Sequence, residues 1–93
     1  MNCPMIPYVP KGKALKAMRH LDEEGAQYNG DLAVHIACAR SDTIRALESA
    51  LRHKVVSKEL RYRTSSKQDW LWFLTPSGCE ILEQIRRVEG VGA

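Results

Sequence analysis

Trp70-Leu71-Trp72-Phe73-Leu74-Thr75-Pro76-Ser77-Gly78-Cys79-Glu80-Ile81-Leu82, residues 70–82, changes its periodicity once, and the place of that change decides the fold. The run from Trp70 to Leu74 is aromatic and bulky and predicts a strand. Thr75 then offers a hydroxyl to the first free amides of a helix. Pro76 stands at the first helical position, where a missing N–H costs nothing. Leu74 and Cys79 flank that start with the spacing of a hydrophobic staple. Ile81, Leu82, Ile85 and Val88 predict the buried stripe of the helix, and Gly90 its end.

Upstream of this passage, Val55 to Arg63 alternates, with Val56, Leu60 and Tyr62 on one parity, which predicts a half-buried strand. Thr64 to Asp69 is a polar loop, so the two strands are expected to form an antiparallel hairpin. Trp70 and Trp72 share one parity, Leu71 and Phe73 the other. A hairpin covers the helices with one face only. One of these sets is therefore expected to be exposed or used by a partner, in dimer contact or in stacking on single-stranded bases.

Three helices are predicted before the hairpin. The first runs from Lys11 or Gly12 to Glu24, with Ala14, Leu15, Met18 and Leu21 as its apolar stripe and Gly25 as a left-handed cap. Tyr28-Asn29-Gly30 predicts a turn or a very short strand, with Asn29 or Asp31 capping the next helix. That second helix is short, from Asp31 to about Cys38, with Leu32, Ala33 and Ile36 inward. After a break at Ala39-Arg40, Ser41 is the expected N-cap of a third helix and Asp42 places a negative charge in its first turn. Ile44, Leu47 and Leu51 form its inner stripe, and Thr43, Arg45, Ala46, Ser49 and Arg52 are left on or near the outer face. Residues 1–10 carry Pro4, Pro7 and Pro10 and are expected to form an extended arm. Its apolar Met5, Ile6, Tyr8 and Val9 suit packing on the domain or on a second subunit.

Composition agrees with one small globular unit over residues 11–90. The 93 residues are 44% hydrophobic and 27% charged, within the range of ordinary folded domains. No stretch approaches the apolar length of a membrane span, and the N-terminus lacks the pattern of a secretory signal. Cys3, Cys38 and Cys79 are odd in number and form no CxxC pair, which points to reduced, mostly buried thiols in a cytoplasmic protein. His20, His35 and His53 form no metal-binding pattern, and no GxGxxG, GxxxxGK or GxSxG occurs. No cofactor, no small-molecule ligand and no enzymatic activity is expected. The charge, by contrast, is concentrated. Residues 40–67 hold eight basic side chains (Arg40, Arg45, Arg52, Lys54, Lys58, Arg61, Arg63 and Lys67) against Asp42, Glu48 and Glu59. That is +5 in a chain of net +3, a distribution that suits an anionic partner.

The order helix, helix, helix, hairpin, helix resembles the winged helix-turn-helix family of DNA-binding domains over about Lys11 to Val88. Leu32-Ala33-Val34-His35-Ile36 is similar to that family's second helix. Ser41 to Leu51 is similar to its recognition helix, and Trp72 to Leu82 to its passage from the second wing strand into the last helix. Two departures stand out. The family usually has a glycine where this chain has His53-Lys54, and the turn from Ile36 to Thr43 is about one residue longer than the commonest form. A non-glycine residue making that reversal in a left-handed conformation costs about 1 kcal/mol.

The resemblance implies an α+β winged helix-turn-helix with a two-stranded wing and a C-terminal helix. It also implies double-stranded DNA as partner, a role in bacterial or phage-type transcription regulation, and a second subunit on paired half-sites. The third helix would enter the major groove. Arg40, Ser41, Asp42, Thr43, Arg45, Ala46, Ser49 and Arg52 would then be at or near DNA, with Arg45 the base-reading candidate and Arg40 and Arg52 on phosphate. The wing would bring Lys58, Arg61, Arg63 and Lys67 to the backbone or minor groove. A winged domain that binds protein with the same hairpin and helix is the alternative, since fold alone does not choose between them.

Overall fold

Two helix reversals set the architecture. The structure, a computed structural model, describes residues 8–91 of the chain. In order it holds α1 (Gly12–Glu24), β1 (Gln27–Tyr28), α2 (Asn29–His35), α3 (Arg40–Arg52), β2 (Val56–Tyr62), β3 (Gln68–Leu74) and α4 (Pro76–Val91). The chain turns from α2 into α3 at Ala37 (φ 56°) and from α3 into β2 at Lys54 (φ 59°). Both turns carry the same hydrogen bonds. The Ala37 amide donates to the Val34 carbonyl and that of Cys38 to Ala33. The Lys54 amide donates to Leu51 and that of Val55 to Ala50. These are Schellman closures, which usually place glycine at the left-handed position.

The sequence places the second reversal at His53-Lys54, and Lys54 makes it. Each non-glycine residue held there costs about 1–2 kcal/mol. Ala37→Gly is therefore expected to raise stability by about 0.5–1 kcal/mol, the relieved strain exceeding the extra entropy of the unfolded chain. Thermal unfolding reads this as a Tm higher by a few degrees, and an unchanged or lower Tm would show that Ala37 is not strained.

The strands form one antiparallel sheet in the order β1-β3-β2. Val56 opposes Leu74, Lys58 opposes Trp72 and Leu60 opposes Trp70, so these side chains share a face. That face packs on the helices. Val56 and Trp72 join Met18 and Leu21 of α1, Leu32 of α2 and Leu47 of α3 in one core. The last helix starts as its sequence predicts. Thr75 Oγ1 accepts a bond from the Gly78 amide at 3.2 Å and donates to the Lys54 carbonyl at 2.6 Å. The cap thus also ties α4 to the α3–β2 reversal.

Several local expectations are corrected. The short strand β1 forms and pairs with β3, making the sheet three-stranded. The second helix begins two residues earlier than expected and ends at His35. Neither Asn29 nor Asp31 caps it, because Asn29 is drawn inward. Ser41 does not cap α3 either. Ala39, in extended conformation, precedes the helix and Arg40 begins it. Gly25 has the left-handed φ of 82°, but its ψ of −165° is extended. Gly90 does not end α4, which continues to Val91.

Val88, expected in the buried stripe of α4, is 73% exposed. Helix α4 is tied to α1 by the ion pairs Arg19–Glu89 and Arg86–Asp22, and Val88 stays outside that contact. Of the thiols in the described residues Cys38 is half-buried, but Cys79 is exposed, against the expectation. The expected arm lies outside the described residues except for residues 8–10, of which Tyr8 packs against the core. No helix among the described residues is long and apolar enough to cross a membrane.

Candidate nucleic-acid interface

The expected exposure of one aromatic set does not occur. Trp72 is fully buried and donates from Nε1 to Asn29 Oδ1 at 2.9 Å. Trp70 is half-buried, with the Lys58 ammonium 4.2 Å from its ring centroid. Leu71 and Phe73 are half-buried on the opposite face, where Tyr28 of β1 pairs beside Leu71. The third strand supplies part of the cover that a two-stranded wing would lack. Leu60 and Tyr62 are instead the exposed residues, at 50% and 64%, because β2 runs out of the body toward its end.

Asn29 bridges three elements. It stands at the start of α2, accepts from Trp72 of β3, and donates from Nδ2 to the Arg40 carbonyl at 3.1 Å. The first residue of α3 is thereby held against the sheet. Thr43 closes the same corner. Its hydroxyl bonds the Ala39 carbonyl at 3.1 Å and lies 3.2 Å from Cys38 Sγ. Thr43 is fully buried, so its expected place beside DNA is corrected: it is a packing residue. A β-branched side chain with a hydroxyl that reaches the carbonyl four residues back can be satisfied in a helix interior, which the sequence pattern does not disclose.

The outer side of α3 is open. Arg40, Ser41, Asp42, Arg45, Glu48 and Arg52 are exposed, and Ala46 and Ser49 are half-buried. Residues 42, 45, 49 and 52 follow one another at helical spacing on one side of the rod. The arginines divide sharply. Arg19, Arg61, Arg63, Arg86 and Arg87 are each paired with a carboxylate. Arg40, Arg45 and Arg52, the three on α3, make no ion pair among the described residues.

On the wing, the expected cations are not equivalent. Arg61 lies 2.8 Å from Glu59, its neighbour on the same face of β2. Arg63 lies 3.1 Å from Asp31 and 3.9 Å from Asp69. Lys58 is directed onto the tryptophans. Lys67 has no carboxylate partner among the described residues. A hollow of about 280 Å³ separates the start of α3 from the wing, lined by Arg40, Arg63, Thr64, Lys67, Gln68 and Asp69. The sequence reading missed Asn29, Asp31 and Asp69 as parts of this site. In the sequence they have the form of a turn residue and two solvated acids, and no spacing rule pairs them with residues about 30–40 positions away.

A helix, a short strand, two further helices, a two-stranded hairpin that pairs with that strand, and a fourth helix, in this order, define a winged helix-turn-helix, and that is the fold of this chain. Solved structures with the same fold include a MarR family transcriptional regulator from Silicibacter pomeroyi. It has a TM-score of 0.70 and 19% identity over 84% of this chain and 50% of that one. RV1404 from Mycobacterium tuberculosis gives a TM-score of 0.71 and 19% identity over 89% of this chain and 57% of its own. BpsR of Bordetella bronchiseptica, whose DNA binding is regulated by 6-hydroxynicotinic acid, gives 0.68 and 16% over 97% and 66%. The chain thus spans between half and two thirds of the length of these three proteins. No family model and no curated protein matches its sequence.

Proposed function

We propose that this chain binds double-stranded DNA as a transcriptional regulator, with α3 in the major groove and the β2–β3 hairpin as a wing along the backbone. One observation carries this reading: among the described residues five of the eight arginines are paired with carboxylates, and the three that are not all stand on α3. Ion pairing elsewhere leaves the unpaired arginines together on the helix that the fold offers to a groove, where they outnumber its two acids, Asp42 and Glu48. Arg45 stands in the first half of α3 and reads base edges. Ser41, Asp42, Ala46 and Ser49 border it, and Arg40, Arg52 and Lys67 meet phosphate.

The winged domain of residues 11–90 acts with a second copy. Support for this comes from the apolar strip of Tyr8, Val9, Ile81, Ile85 and Val88 along α4, which borders a hollow of about 310 Å³. The dimeric arrangement would place two α3 helices on paired half-sites.

Titration with random-sequence duplex at two salt concentrations tests the reading, followed by selection of bound sequences. Three phosphate contacts per chain, six for the pair of subunits, predict a log–log salt slope of about −5.4, roughly a 1,800-fold loss between 50 and 200 mM. No binding at low salt would remove DNA as the partner. Arg45→Ala is expected to weaken the selected site by about 1–3 kcal/mol, roughly 5- to 150-fold, while random duplex is little affected. Equal loss on both sequences would remove Arg45 from base readout.

A further inference from the structure

Arg63 is the most highly connected cation of the wing, and its partners come from three elements. Its Nη2 donates to Asp31 of α2, 3.3 Å to Oδ1 and 3.1 Å to Oδ2. Its Nη1 lies 3.9 Å from Asp69 of β3. Its guanidinium carbon stands 4.9 Å from the ring centroid of Tyr28 in β1. The second partners are also engaged. Asp69 accepts from the Gly30 amide at 3.0 Å and from the Trp70 amide at 2.9 Å. The Arg40 side chain in turn lies against Gly30, with Nη2 3.0 Å from where a Cβ would stand.

We propose that Arg63 is a positioning residue: held by Asp31, Asp69 and Tyr28, it fixes the wing relative to α2 and the start of α3, and it does not itself contact DNA. This rests on the DNA-binding reading above. Two carboxylates face the one guanidinium of Arg63, so its charge is already balanced where a phosphate would approach it. Asp69 is also poorly placed to lose its partner, since only 11% of its side chain is exposed. An acid so enclosed favours keeping a cation beside it. A guanidinium that reaches two carboxylates from two different nitrogens and stacks on an aromatic face suits arginine and not lysine. Arg40 and Lys67, which have no carboxylate partner among the described residues, are left as the cations of the hollow that face the backbone.

Asp31→Ala separates the two roles by the sign of its effect. If Arg63 were a phosphate ligand, removing Asp31 would release it and remove a repelling charge, so affinity for duplex would rise. If Arg63 positions the wing, Asp31→Ala lowers affinity about five- to tenfold with an unchanged salt slope. Arg63→Lys should then lose as much as Arg63→Ala, and Asp31→Glu should retain binding.

A second measurement needs no DNA. In the free full-length chain, ¹⁵N relaxation order parameters of residues 64–67 should fall in Asp31→Ala and Arg63→Lys and remain as in the wild type in Asp31→Glu. Tighter binding by Asp31→Ala, a salt slope reduced by about 0.9 per bound chain in Arg63→Ala, or unchanged wing order in both variants would overturn the positioning role. If wing order responds as expected while the wild type fails to bind duplex at low salt, the DNA-binding reading falls and with it the role of Arg63 in positioning for DNA.

Discussion

Gly78→Ala is expected to cost about 3 kcal/mol of folding free energy or more. A Cβ at Gly78 would stand 2.0 Å from the Val55 carbonyl oxygen and 2.8 Å from Leu74 Cδ2. The first of these is backbone, and it cannot turn aside as a side chain would. The Thr75 amide already donates to the same carbonyl at 3.2 Å, so relief requires α4 to move away from the α3–β2 reversal. That displacement would pull Thr75 from Lys54 and open the core around Leu82 and Val56. Overpacking costs about 1–3 kcal/mol where side chains can yield, and a backbone collision belongs at or above the top of that range. A loss of about 3 kcal/mol lowers Tm by roughly 12–24 °C in a domain of this size. Ser77→Ala, at an exposed neighbouring position, is the control and should change stability by less than about 0.5 kcal/mol. A Gly78→Ala chain melting within a few degrees of wild type would show that the close approach is not required.

Trp72→Ala is expected to cost about 3–5 kcal/mol by the cavity it leaves in the centre of the core. Trp72→Phe isolates the polar part of that loss. It keeps a ring in place but removes the donor to Asn29, leaving a buried amide oxygen unpaired at about 1–3 kcal/mol. The effect reaches the proposed interface, because the same Asn29 side chain holds the Arg40 carbonyl at the start of α3. Urea unfolding compares the two variants. If Trp72→Phe is as stable as wild type, the indole bond contributes nothing and Asn29 needs no partner there.

The elements with the strongest periodic or capping signals are the ones the sequence reveals best. The passage from Trp70 through Thr75-Pro76 into α4 is local: a β-prone run, a capping hydroxyl and a proline act within a few residues of one another. The stripes of α1 and α3 are legible for the same reason. Even the non-glycine reversal at Lys54 is visible, since the chain must turn between an amphipathic helix and an alternating strand. What escapes is the use made of polar residues. Asn29 and Thr43 resemble a helix cap and a surface threonine until β3 and the α2–α3 turn approach them.

The candidate site divides along the same line. Sequence alone established that residues 40–67 are cationic and that the outer side of a helix near residues 41–53 is polar, because charge and helical periodicity are properties of neighbours in the chain. Only the tertiary structure decided which of those cations are unpaired. Asp31 is 32 residues from Arg63 in the sequence, and the fold brings them within 3.1 Å. Neutralisation depends on distance in space, which the order of residues does not contain.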